Sequence, residues 1–250
     1  MEGMNSDEYA NLERVEGAHW YYVAKRAFTR DWILRARPPR PSDELLDCGA
    51  GTGRFALDMQ RHCQTRVLDD HQEALTLLRQ RFTPDRVHEL QDGRLPLADA
   101  SLQYVTALDV LEHIPDDTGA VQEFARVLAP GGLCVATVPA DMALWSDWDE
   151  VLHHQRRYDR EGLRTLFAGA EWEIVHLNYT NVLAYPAVWA IRRWRRLRPA
   201  ALGASRAEDQ VPPAPLNALL RASFHGLAMW RLPFPFGVSL LLVARRRTAA

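Results

Sequence analysis

The chain has 250 residues, 47% of them hydrophobic and 25% charged, with a net charge of -2 when histidine is neutral. That length supports one sizeable core, and the near-neutral balance argues against a general nucleic-acid footprint. Cys48, Cys63 and Cys134 are the three cysteines, and no CxxC pair occurs, so neither a disulfide framework nor a cysteine zinc site is expected. No apolar run approaches the ~20 residues of a membrane span. The polar, acidic MEGMNSDEYANLERVEG does not read as a secretory leader. A cytoplasmic protein with free thiols is the expectation. Lys25 is the only lysine; the other basic residues are arginine, a bias that fits genome composition.

Taken in chain order, residues 6 to 36 carry apolar and aromatic side chains at helical steps, with the bulky HWYY at 19 to 22. RPPRPS at 37 to 42 breaks the pattern and serves as a linker. Alternation follows. Strands are predicted at 44 to 48, 65 to 69, 86 to 91, 103 to 109 and 133 to 138, with helices at 54 to 62, 72 to 82 and 116 to 128. APGG at 129 to 132 is expected to end the last of these helices. A helix at 159 to 168 and strands at 172 to 179 and 237 to 244 complete the series. Strands alternating with helices predict βαβ units, a mostly parallel sheet and helices on both faces. Residues 181 to 235 interrupt the alternation with two helix candidates and a flexible stretch. The expected organisation is a helical lid (1–42), a core (43–180 with 236–250) and an inserted helical cap (181–235).

The most informative stretch is LLDCGAGTGRF, Leu45 to Phe55, where three glycines follow a buried strand. Ligands in such sheets bind at the carboxyl ends of the strands, and glycine lets a backbone approach them closely. The spacing is Gly49-x-Gly51-x-Gly53. A dinucleotide fingerprint would place its third glycine at Arg54, so another adenosine cofactor is favoured. S-adenosylmethionine carries no phosphate and needs only a bare backbone against its methionine tail and ribose. Asp69 ends the second strand and can accept both ribose hydroxyls; the adjacent Asp70 is the alternative, and a solvated turn explains either. Asp92-Gly93 follows the third strand, where a carboxylate could accept from an adenine amino group, or a D-G turn could simply stand.

In combination these stretches make the chain resemble class I S-adenosylmethionine-dependent methyltransferases of the bacterial quinone-biosynthesis type. LLDCGAGTGRF, VLDDHQEAL, LQDGRLPLADASLQYVTALDVLEHI and EFARVLAPGGLCVATVP carry the likeness over about residues 43 to 140. The resemblance implies a Rossmann-like three-layer αβα sandwich whose seven-stranded, mostly parallel sheet has an antiparallel last strand. It implies that Asp47, Gly49, Gly51 and Gly53 line the methionine end of S-adenosylmethionine. Asp69 would hold the ribose and Asp92 the adenine, with Leu108 and Asp109 beside the sulfonium. The leader EGAHWYYVAKRAF is similar to leaders that usually read H-W-W-F, so Tyr21 and Tyr22 depart from that pattern. The departure suits a changed lid or substrate contact, or aromatic exchange in a packed helix.

Methyl transfer from a sulfonium needs alignment and exclusion of water more than acid–base chemistry, so catalytic residues are hard to read. His113 in VLEHI is one candidate base, and a cap or pocket wall is the alternative. VLHHQRRYDREGL offers His153 and His154 as bases and Arg157 and Tyr158 to orient an acceptor, unless it is a solvated basic loop before a helix capped by Asp159. Trp145 and Trp148 wall the acceptor site or pack in the core. No metal is expected, since neither HExxH nor an acidic triplet occurs. Trp189, Arg192, Arg193, Trp194, Arg195, Arg196 and Arg198 suit peripheral membrane contact through 189–198, or a solvated helix face over a small cap. The expected partner is a small-molecule acceptor, and S-adenosylhomocysteine the product. The alternatives are a non-catalytic module that binds S-adenosylmethionine and regulates a partner, and a nicotinamide dehydrogenase, which the Gly53 spacing disfavours.

Overall fold

The computed structural model describes residues 6–90, 93–169, 171–197 and 210–248. Among them runs a seven-stranded sheet of order β3-β2-β1-β4-β5-β7-β6. Its strands are β1 (Glu44–Cys48), β2 (Gln64–Asp69), β3 (Val87–Glu89), β4 (Leu102–Leu108), β5 (Leu128–Pro139), β6 (Trp172–Thr180) and β7 (Ser239–Arg246). β1 to β5 pair in parallel, and β7 enters antiparallel between β5 and β6. This is the Rossmann-like sandwich expected, with its antiparallel strand where the sequence placed it.

The helices are α1 (Ser6–Glu16), α2 (Trp20–Ala36), α3 (Arg54–Met59), α4 (Gln72–Arg81), α5 (Asp117–Val127), α6 (Asp147–Val151), α7 (Arg160–Leu166), α8 (Tyr185–Leu197) and α9 (Ala214–Ala228). Side chains alternate across a strand, and the two apolar clusters follow that period. Leu46, Cys48, Val105, Ala107, Cys134 and Ala136 face Phe124, Leu163 and Phe167. Leu45, Tyr104, Leu133, Val135, Leu241 and Val243 face Phe28, Trp32 and Ile33 of α2, Met59 of α3 and Phe224 of α9. Helices expected in a lid and a cap thus pack directly on the sheet. Trp32 seals the joint by donating its indole N–H to the Ala228 carbonyl at 3.0 Å.

Three local details differ from expectation. The helix expected over 6–36 is two helices, because the chain turns at Gly17–Ala18 and His19 Nδ1 caps α2 by accepting from the Tyr21 amide. APGG does follow α5, and it is also taken into β5 as a bulge: Leu102 pairs with Leu128 but Tyr104 with Leu133, and Gly131 has φ +79°. The third strand spans only Val87–Glu89.

Candidate functional site

β1 ends at Cys48, and the chain leaves it through Gly49, Gly51 and Gly53 with φ values of +61°, +55° and +76°. A Cβ built on Gly53 would fall 2.7 Å from Leu78 Cδ2 and Phe82 Cε2, whereas one on Gly51 would meet nothing within 4 Å. Gly53 is bare because helix α4 presses on it. Gly51 is bare beside open space at the carboxyl edge of the sheet.

Asp69, at the end of β2, faces this loop. Its Oδ2 accepts from the Gly51 amide at 2.9 Å, and its Oδ1 accepts from the amides of Asp70 and His71 at 3.0 and 3.1 Å. Three backbone donors fix the carboxylate, and ionised oxygens keep further lone pairs for a ligand. The two adjacent acids differ: Asp69 is buried, while Asp70 is exposed and pairs with His71 Nδ1 at 2.7 Å. Asp47, on the α2 side of β1, accepts from Thr106 Oγ1 at 2.6 Å. Burial, opposed by the Thr106 bond and reinforced by Asp69, pushes its carboxyl up to about 7. Gly93 keeps a left-handed φ of +72°, and Asp92 lies outside the described residues.

Beyond β4, Leu108 is half-buried and Asp109 takes a φ of +59°. The Asp109 carboxylate accepts from Thr137 Oγ1 at 2.7 Å and from Lys25 Nζ at 2.6 Å. Burial opposes the charge on Asp109, and Lys25 overturns that, holding the carboxyl below its ordinary range. Burial likewise opposes the Lys25 ammonium, which Asp109 more than restores. Lys25 Nζ lies 5.2 Å from the Tyr21 ring centre and 5.9 Å from that of Tyr22, within cation–π range. Tyr21 in turn stacks on Phe224 of α9 at 5.6 Å. The α2 amino end therefore closes over the strand ends, with Tyr21, Tyr22 and Lys25 on its inner side. Glu16 seals the neighbouring edge: both its carboxylate oxygens lie 2.7 Å from Thr52 Oγ1, inside the glycine loop.

The loop after β5 is organised by Asp149, which is wholly buried. Its Oδ1 lies 2.8 Å from His154 Nδ1 and accepts from Arg157 Nε at 2.7 Å; its Oδ2 accepts from the Ser146 amide at 2.8 Å. Burial would raise the carboxyl, but these bonds hold it far below the usual carboxylate range. Two expectations are corrected here. Arg157 does not face an acceptor, because its guanidinium is buried on Asp149 and the Ala140 carbonyl. Tyr158 is no exposed catalytic hydroxyl: it is buried, bonded to the Leu111 carbonyl at 3.1 Å and Asp117 Oδ2 at 2.8 Å. Burial and Asp117 together raise its phenol well above the ordinary value.

His153 is exposed, with φ +55°. His154 and His113 meet edge to face at 4.8 Å. Burial and the His154 neighbour push His113 down to about 4, so its ring is neutral at pH 7. Trp145 and Trp148 are half-buried on the same loop. In α8, Arg192 turns inward to the Leu144 carbonyl and to Asp149 Oδ2 at 3.5 Å, while Trp189, Ile191 and Trp194 stay exposed. The side chains of Arg195 and Arg196, and all of Arg198, lie outside the described residues. No described helix is long and apolar enough to cross a membrane.

The strand-end site is acidic: Asp47, Asp69 and Asp109 against one lysine. S-adenosylmethionine is a net cation with a flat purine and a diol, so the bare Gly51, the fixed Asp69 and this charge balance fit it. Fold and site together point to the class I S-adenosylmethionine-dependent methyltransferases. Residues 46–136 match the family model described as a methyltransferase domain. It is 26% identical over 175 residues to a malonyl-[acyl-carrier protein] O-methyltransferase of Enterobacter lignolyticus, covering 67% of this chain and 68% of that protein. It is 33% identical over 172 residues to the 27-O-demethylrifamycin SV methyltransferase of Amycolatopsis mediterranei, covering 60% and 63%. A demethylmenaquinone methyltransferase of Chlorobaculum parvum matches at 29% identity over 48% of this chain and 49% of its own length. The chain thus spans about half to two thirds of these relatives. The solved geranyl diphosphate C-methyltransferase of Streptomyces coelicolor shares the fold, with TM-score 0.60 and 13% identity over 91% of this chain and 78% of that one.

Three features of the site were missed by sequence reasoning: Lys25, Glu16 and Asp149. Lys25 alone left a trace, as the sole lysine one helical turn past Tyr21.

Proposed function

We propose that the chain binds S-adenosylmethionine at the glycine loop and transfers its methyl group to a small-molecule acceptor in the space between α2 and the loop after β5. The observation that carries this is Asp69 locked by the Gly51, Asp70 and His71 amides beside an open glycine backbone. When bound, the cofactor supplies a methyl group already activated on sulfur. The protein's part is then position and dryness. Asp69 receives the ribose diol, Asp47 the methionine ammonium, and Gly49, Gly51 and Gly53 leave room for the chain between them. Leu108 and Asp109 border the sulfonium, and Gly93 borders the adenine. Tyr21, Tyr22, Trp145 and Trp148 shut out water on the acceptor side. This reading gives the proton of a hydroxyl acceptor to His153 or His154.

The relatives act on an acyl-carrier-protein-bound malonyl group, a rifamycin and demethylmenaquinone, by their names. The exposed Trp189, Ile191 and Trp194 on α8 favour an apolar or lipid-linked acceptor met at an anionic bilayer surface by a cytoplasmic protein. Calorimetry with S-adenosylmethionine, S-adenosylhomocysteine and NAD tests the cofactor, and NAD binding alone would refute the assignment. Mass spectrometry of metabolite pools then seeks compounds heavier by ~14 Da, the CH₂ by which methylation extends an acceptor. Tight cofactor binding with no product across acceptor pools would favour the regulatory module. Vesicle sedimentation that ignores both lipid charge and salt would remove the bilayer.

A further inference from the structure

We infer that Glu112, His113 and His154 form a binding site for a divalent metal ion of the zinc or iron(II) type. One ligand atom from each lies within 4.8 Å of the others. Glu112 sits in the short 3-10 turn Leu111–His113 and is wholly buried, and neither of its carboxylate oxygens has a hydrogen-bond partner. An unpaired buried carboxyl is among the costliest groups to place inside a protein. The fold nevertheless holds it there firmly: the Gln155 amide donates to the Glu112 carbonyl at 2.7 Å, which brings the 153–155 loop, and His154 with it, against the turn.

His154 is held ready as a ligand by Asp149. His154 Nδ1 lies 2.8 Å from Asp149 Oδ1, an oxygen that already accepts from Arg157 Nε, so Nδ1 is the ring's donor and Nε2 is left to bind. This is the carboxylate–histidine relation that orients metal-bound imidazoles. His113 stands edge to face with His154, ring centres 4.8 Å apart, which brings a second imidazole to the same point. Lys25 is committed to Asp109 at 2.6 Å and faces Glu112 only through space, which leaves the carboxylate of Glu112 for another cation. Two imidazoles and one carboxylate favour zinc or iron(II) over magnesium or calcium, which prefer all-oxygen shells. Metal–ligand distances of about 2.0–2.2 Å require the three side chains to draw together by roughly an ångström. Three protein ligands leave coordination positions open. With the ion bound, His154 is a ligand and no longer a base: an acceptor hydroxyl bound to the ion would ionise near neutral pH and release its proton to solvent. That consequence rests on the proposed methyl transfer; the metal site itself does not.

The site was not legible because its ligands come from two segments, one adjacent pair and one histidine on a different loop. The test uses tag-free full-length protein stripped with chelator, titrated with Zn²⁺ by calorimetry and with Co²⁺ by visible absorbance. One ion per chain is expected, with cobalt bands typical of nitrogen ligation and much weaker binding of Mg²⁺. Glu112→Gln should weaken Zn²⁺ binding by about 10–100-fold while leaving the melting temperature equal or higher, since it removes a buried carboxyl that has no hydrogen-bond partner. His154→Ala and His113→Ala should abolish the cobalt spectrum. Absence of Zn²⁺ and Co²⁺ binding in the parent overturns the inference. So does binding unaltered by these variants, or lost only on His71→Ala, which would place the ion at Asp69, Asp70 and His71. S-adenosylmethionine affinity measured on the same samples separates failure here from failure of the donor assignment.

Discussion

Lys25 Nζ stands 2.6 Å from Asp109 Oδ2, joining the leader helix α2 to the exit of β4. Lys25→Met leaves Asp109 partly buried with only Thr137 as partner. We expect a loss of about 2 kcal/mol in urea unfolding, most of it recovered by adding Asp109→Asn. The pH dependence has a definite sign. Asp109 is lowered, so its contribution is complete above its ordinary value of 3.8 and disappears as pH falls through the lowered one. Lys25 is raised, so its contribution is complete below its ordinary 10.5 and fades as pH rises beyond the raised one. The pair's contribution to the parent's stability should therefore be flat from about pH 4 to 10, whereas in Lys25→Met burial, no longer overturned, raises Asp109, so the deficit should shrink as pH falls and Asp109 takes up a proton. A deficit that grew as pH fell toward 4 would contradict the pairing.

Gly51 and Gly53 share a left-handed backbone but not a neighbourhood. Gly51→Ala should cost only the strain of about 1–2 kcal/mol and keep the fold, yet lose S-adenosylmethionine binding. Gly53→Ala adds a clash with Leu78 and Phe82, for about 2–4 kcal/mol in all. Thermal melts and calorimetry on both variants check the split. Equal destabilisation would argue against the open space at Gly51.

Asp47 should make donor affinity depend on pH. Its carboxyl is pushed up to about 7, and only the ionised form attracts an ammonium. Binding of S-adenosylmethionine should tighten as pH rises from 5.5 to 7, by up to about tenfold per unit, and Asp47→Asn should remove the slope. The ligand-free protein should behave oppositely. The folded state holds a proton that the unfolded chain has released above 3.8, so the Asp47 contribution to stability falls as pH rises from about 4 to 7. A slope retained in Asp47→Asn would assign it to another group.

Tyr158→Phe removes a hydroxyl bonded to Asp117 and the Leu111 carbonyl. A stability loss of about 1–2 kcal/mol is expected, with turnover per folded molecule unchanged. A fall in turnover beyond about tenfold, with donor binding intact, would return Tyr158 to the chemistry.

Much of the frame was legible because it depends on local rules. Glycines after a buried strand, an acid at the next strand's end and alternating βα segments place Asp69 beside Gly51 without any knowledge of distant contacts. The acceptor side was read less well. Tyr158, Arg157 and His154 occur within five residues and look alike in a polar loop. Their separation into a buried hydroxyl, a buried guanidinium and an imidazole facing His113 is decided by Asp149, and by strands and turns far away in sequence. Glu112 reads as an ordinary helix-turn acid until the loop carrying Gln155 closes over it. Lys25 reads as composition until β4 brings Asp109 beneath it.

The placement of β7 between β5 and β6 has a consequence for biosynthesis. On the ribosome, β6 emerges more than fifty residues ahead of the only neighbour it has among the described strands, and β5 waits with one side unpaired. The nascent sheet must carry two open edges until residues 239–246 arrive as a wedge between them, a long-range closure of the kind that slows folding and invites chaperones.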